Sequence, residues 1–175
     1  MGSMDAAVMA LAGSSAIGFL LADGEQKRLG WVVAMRRCLL RLGDIIRYER
    51  CGISALLRTI ELTGSAQERA LTRLLHACAA EMERRDVPRL SFIYAEKSAK
   101  LAEYGVLSNA DREAFEQVMS ELGNNGLREQ LRLIETADGR LLQREAALRK
   151  EGAARARLIR TLGVCCGAGM FLVLV

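Results

Sequence analysis

Residues 32–48 read VVAMRRCLLRLGDIIRY, and the spacing of their apolar side chains decides the fold. Val32, Met35, Leu39, Leu42 and Ile46 recur every three or four residues, while Arg36, Arg37, Arg41 and Arg47 fall on other faces. A half-buried strand would alternate with a period of two. This stretch instead has the period of an amphipathic helix of coiled-coil character. Tyr48 lies near its end, and Cys51-Gly52 is the expected break, because glycine readily leaves the helical conformation.

Helical spacing continues through the chain. A short helix from about Ser54 to Leu62 is closed by Gly64, and Ser65 with Glu68 then forms a capping box for a third helix. That helix carries Leu71, Leu74, Leu75, Cys78 and Met82 on one side and ends in the charged run EMERRD. Pro88 suits the first turn of a fourth helix, which Gly105 ends. Ser108 and Asp111 start a fifth, with Phe115, Val118, Met119 and Leu122 as its apolar positions. Gly123-Asn124-Asn125-Gly126 is the clearest loop, since Gly and Asn tolerate the left-handed conformation that finishes a helix. From Leu127 onward no proline intervenes, and Leu127, Leu131, Ile134, Leu141 and Leu148 form a stripe suited to lie antiparallel to the one headed by Val32. Asp138-Gly139 interrupts that stripe, and a kink is expected there rather than a full turn. With a single proline and 5% aromatic residues beside 51% apolar ones, the expected fold class is all-α. The expected architecture is a small helical bundle whose first and last helices extend into N- and C-terminal transmembrane anchors.

The anchors are read from charge. All 25 Lys and Arg fall between Lys27 and Arg160, and the runs 6–22 and 161–175 carry no charge at all. As helices, these 17 and 15 residues reach roughly 25 and 22 Å, just short of a hydrocarbon core of about 30 Å. No Lys or Arg precedes the first run, so a retained anchor is expected over a cleaved signal peptide. The second run is borderline in length and reads as a short span, with a re-entrant or interfacial tail as the alternative. Lys27, Arg28, Arg36 and Arg37 follow the first run, and Arg149, Lys150, Arg155, Arg157 and Arg160 precede the second. The positive-inside rule therefore puts the middle in the cytoplasm and both termini across the membrane. The expected divisions are an anchor at 1–24, a cytoplasmic helical domain at 25–157 and an anchor at 158–175. Ala6, Ala10, Ser14, Gly18 and Ala22 line one face of the first run, and Gly163 and Gly167 make a G-x-x-x-G in the second. Such faces permit close helix packing.

No arrangement of residues points to catalysis, a cofactor or a metal. Cys38, Cys51, Cys78, Cys165 and Cys166 form no C-x-x-C, and the single histidine, His76, stands among core-type residues in LLHAC. Cys38 and Cys78 occupy apolar helical positions, where cysteine acts as a small hydrophobe. The glycine-dense GNNG lacks the lysine of a phosphate loop. The acids Glu81, Glu83, Glu113 and Glu116 are interspersed with arginines, the pattern of a solvated face. Basic residues do not gather into one stripe and stacking aromatics are few, so nucleic acid is not expected as a partner.

Three stretches together resemble one family. MRRCLLRLGDIIRY (35–48) is similar to its first cytoplasmic helix; SELGNNGLREQ (120–130) resembles its glycine loop; and 158–175, with Leu-Gly after a basic residue, resembles its apolar tail. The family is stage III sporulation protein AB, and the resemblance covers essentially the whole chain. There are departures. YERCGISAL (48–56) lacks the proline of the family's turn, and the loop's acidic residue is missing near Gly126 or Leu127. In addition, Asp138-Gly139 falls in a helix that is uninterrupted elsewhere. The resemblance implies a non-enzymatic membrane component of the secretion-like complex between mother cell and forespore. Such a component is similar to the inner-membrane platform proteins of type II secretion and type IV pili. Its implied partners are the motor ATPase, stage III sporulation protein AA, and other membrane subunits; a homo-oligomer is compatible with it. A helical signalling or sensor hairpin is the competing reading.

Overall fold

The computed structural model describes residues 2–49, 51–84, 89–101 and 105–174, with side chains between 24 and 154. Among the described residues there are six helices and no strand: α1 Gly2–Tyr48, α2 Ile53–Thr59, α3 Ala66–Arg84, α4 Leu90–Ala99, α5 Asn109–Glu121 and α6 Leu127–Leu174. Two compact units divide the chain, Gln26–Glu145 on the one hand and Met1–Glu25 with Ala146–Val175 on the other.

Within Gln26–Glu145, α1 supplies the largest share of the core. Trp31, Met35, Cys38, Leu42 and Ile45 are buried at alternating spacings of four and three, with Val32, Ala34 and Leu39 beside them. The stripe ends on Ile45, whereas Ile46, the residue expected there, is half-buried. On α6 the buried line is Ile134, Ala137, Leu141 and Glu145, so Leu127 (55% exposed) and Leu131 stand outside it. The expected antiparallel pairing holds. Arg36 of α1 reaches Asp138 at 2.9 Å and Glu145 at 3.1 Å. Farther along α1, a β-carbon on Gly43 would stand 3.6 Å from Ile134 Cγ2, and Arg47 lies 3.8 Å from Glu135. Advancing along α1 means going back along α6. Because Asp138 is occupied by Arg36 and α6 continues as one helix, Asp138-Gly139 makes no turn.

The helices α2, α3, α4 and α5 pack as successive neighbours. The break at Cys51-Gly52 and both serine caps fall where the sequence puts them. Ser65 Oγ accepts the Glu68 N–H while Glu68 accepts the Ser65 N–H, each at 3.1 Å, and Ser108 with Asp111 repeats the arrangement. Two helix ends differ from expectation. α2 stops at Thr59 instead of Leu62, because α3 offers side-chain partners to the backbone that follows. The Leu62 N–H donates to Thr72 Oγ1 at 3.1 Å, and Ile60 O lies 3.1 Å from His76 Nε2. α4 stops at Ala99 instead of Gly105, its last carbonyls on Lys97 and Ser98 taken by the N–H groups of Lys100 and Leu101. Its first residue is Leu90; Pro88 lies outside the described residues.

Among the described residues no helix is long and apolar enough to cross a membrane. The side chains of the two uncharged runs, including the small-residue faces and Cys165 and Cys166, lie outside the described residues.

Two glycines give opposite predictions. Gly123, at φ 86°, turns the chain out of α5, and a β-carbon there would collide with the Ile53 side chain. Gly123→Ala should therefore lower unfolding free energy by about 2 kcal/mol or more, from left-handed strain plus the clash. Gly139 is inside α6 with open space where a β-carbon would go. Gly139→Ala should raise stability by about 1 kcal/mol. Urea unfolding of the purified chain, followed by circular dichroism, reads both.

Candidate docking surface

The α4–α5 side of the unit carries a shallow groove of about 320 Å³. Its α4 wall is short side chains, Ser91, Ala95, Ser98 and Ala99, and its α5 wall is Arg112, Glu116 and Ser120. Tyr94 also lines it, and its ring meets Phe115 with centroids 6.0 Å apart. The groove exists because alanines and serines do not fill the space between the helices. The serines are occupied locally: Ser98 Oγ donates to Ala95 O at 3.3 Å and Ser120 Oγ to Gln117 O at 2.8 Å. Phe92 projects beside the groove with 73% of its surface exposed. It lies seven residues from Ala99, hence on the same side of α4. A projecting aromatic next to a concave strip of small residues is the arrangement by which protein partners anchor to one another. The sequence pattern does not single this surface out. In LSFIYAEKSA three large apolar residues are consecutive, so periodicity cannot say which of Phe92, Ile93 and Tyr94 faces out.

Three buried carboxylates, on α3, α5 and α6, tie the helices of the unit together, and one of them, Asp111, fixes α5. Asp111, its side chain fully buried, accepts Arg28 Nε of α1 on Oδ2 at 2.6 Å and Arg144 Nε of α6 on Oδ1 at 2.7 Å. Ser108 adds its N–H to Oδ2 at 3.2 Å, and its hydroxyl accepts Arg28 Nη2 at 2.8 Å. Burial pushes the Asp111 carboxyl up, but Ser108, Arg144 and Arg28 together outweigh it and hold the pKa below the ordinary value. Glu68 accepts the Gly64 N–H at 2.8 Å, the Ser65 N–H and the Arg37 guanidinium. Burial again works against the charge, the Ser65 N–H and Arg37 for it, and the net shift is downward. Arg36 sits between Glu145 and Asp138; the hydrogen bond to Glu145 above all raises its pKa.

The other residues that the sequence draws attention to are scattered. Glu83 pairs with Arg58 at 2.5 Å, and Glu81 lies 3.6 Å from both Lys97 and Arg84. Glu116 lines the groove and Glu113 is exposed. His76 ties α3 to the exit of α2. Burial pushes the Cys38 thiol up to about 12 and that of Cys78 up to about 11, so both stay protonated at neutral pH, without nucleophilic thiolate character. Among the described residues no group of three or more His, Cys, Asp or Glu could hold a metal ion.

The two depressed carboxyls set an acid limit. Their folded-state pKa values lie below the unfolded values of about 3.9 for Asp and 4.3 for Glu, so their stabilisation is complete above that range. It is lost as pH falls through the folded values, because the unfolded chain takes up protons first. Thermal midpoints should be flat with respect to these groups from pH 7 to about 5 and fall below about 4; Glu68→Gln should remove part of that fall.

No curated protein and no solved structure matches the chain. The family described as stage III sporulation protein AB matches residues 4–175, nearly the whole chain, and the protein belongs to it.

Proposed function

We propose that this protein is a non-enzymatic membrane platform of the complex that links mother cell and forespore, needed for endospore formation. In this reading residues 1–24 and 158–175 are transmembrane anchors, residues 25–157 form a cytoplasmic domain facing the mother cell, and both termini lie across the membrane. The observation that carries it is the family match over 4–175 combined with the placement of the uncharged runs 6–22 and 161–175. These runs lie at the outer ends of the two longest helices, α1 and α6. The partners are the motor ATPase, stage III sporulation protein AA, and other membrane subunits of the complex. The docking face is the α4–α5 groove with Phe92, which offers an apolar anchor and room for one in return.

Five measurements test this. The chain should stay with membranes through alkaline carbonate washing, and a reporter fused after Val175 should be active only outside the cytoplasm. Release by carbonate would remove the anchors. A photo-crosslinking residue in place of Phe92 should capture the motor ATPase in sporulating cells, whereas one in place of the exposed Arg73 on α3 should not. Phe92→Ser should weaken that association at least about tenfold, the usual cost of truncating an aromatic anchor. Nucleotide hydrolysis by the purified chain alone would overturn the non-enzymatic reading.

A further inference from the structure

Asp111 joins the two helices that run on into the chain's uncharged ends. Its two oxygens serve different helices, Oδ2 taking Arg28 of α1 and Oδ1 taking Arg144 of α6. The Ser108 N–H fixes the carboxylate itself. Two guanidiniums sharing one anion are like charges held close, and both are largely withdrawn from water, with side chains 23% and 35% exposed. Taking the negative charge away would leave more than a missing bond, because the arginines would then repel each other at low local dielectric. Farther along α1 the contacts are of other kinds. Arg36 reaches two carboxylates, Asp138 and Glu145, and Gly43 faces the Ile134 side chain. We propose that Asp111 is the clasp of the α1–α6 pair: its charge closes this end, and a substitution that removes the charge opens that end locally, as far as Arg36, while α2, α3 and α4 stay folded. The inference stands on the geometry of Gln26–Glu145 and holds whether or not the anchors cross a membrane.

The chain contains its own reporter. Trp31 is the single tryptophan, lies three residues from Arg28 and is 1% exposed. Asp111→Asn removes the charge and keeps an oxygen for the Ser108 N–H. In the full chain in detergent at pH 7, this variant should shift Trp31 emission to the red and raise acrylamide quenching about threefold or more, with far-ultraviolet circular dichroism unchanged. Adding Arg144→Gln to Asp111→Asn should recover at least about half of the lost protection, because it removes the repulsion. Quenching equal to that of the unaltered chain would overturn the clasp. So would loss of helical signal together with Trp31 exposure, or failure of the second substitution to recover protection. Hydrogen exchange gives a second reading: amides 28–33 should exchange at least about tenfold faster in Asp111→Asn than in the unaltered chain while amides 70–79 keep their protection, and equal exchange at 28–33 in the two chains would overturn local opening.

Discussion

Everything in the helical unit is built onto α1, and what fastens its polar face is the pairing of its arginines with buried carboxylates of other helices. Arg28, Arg36 and Arg37 each reach a different element: α5 through Asp111, α6 through Asp138 and Glu145, and α3 through Glu68. Two of these carboxylates, Glu68 and Asp111, are also the reciprocal partners in a serine cap. A group already aimed at backbone N–H donors in the first turn of its helix is well placed to stay ionised out of water, since those donors and the helix dipole both favour its charge. The arginine then completes the hydrogen bonding that burial demands.

That double use explains what the sequence could and could not tell. Ser65 with Glu68 and Ser108 with Asp111 are legible because a capping box is a local signal, four residues long. Their arginine partners are not, because nothing in MRRCLLRLGDIIRY marks Arg36 and Arg37 as the arginines that pair with the buried acids Glu145 and Glu68. The core stripe of α1 is legible for the same reason as the caps: a period of three and four over many residues leaves few alternatives. Helix ends are less so. At α2 the apolar pattern runs on through Ile60 and Leu62, yet the chain becomes extended because Thr72 and His76 of another helix satisfy its backbone. The α4–α5 groove is not legible at all. One wall is small residues on a short helix, and the exposed Phe92 runs directly into Ile93 and Tyr94, which are buried but equally apolar in sequence.

The charges also bear on what kind of surface this protein presents. A net charge of +4 with 25 basic residues suggests an anion-binding face. Arg28, Arg36, Arg37, Arg58 and Arg144 are instead spent on ion pairs inside the unit, most with buried or half-buried acids. The groove shows opposite signs side by side, Arg112 and Glu116, among small and apolar residues. A mixed surface of this kind offers shape and local complementarity rather than long-range attraction.

Long antiparallel helices with regular apolar stripes face a problem of register. If α6 slid along α1 by one turn, about 5.4 Å, most leucines would again meet apolar neighbours, and the loss of packing alone would discriminate weakly. The ion pairs discriminate strongly. Such a slip would separate Arg36 from Asp138 and Glu145 and draw Arg144 away from Asp111, leaving buried charge without its partner at a cost of several kcal/mol. Apolar contacts supply the drive to assemble these helices, and the buried carboxylates choose one alignment among several that the apolar stripes would accept. Because Asp111 grips α1 and α6 at once, it sets the alignment of both against α5 with a single side chain.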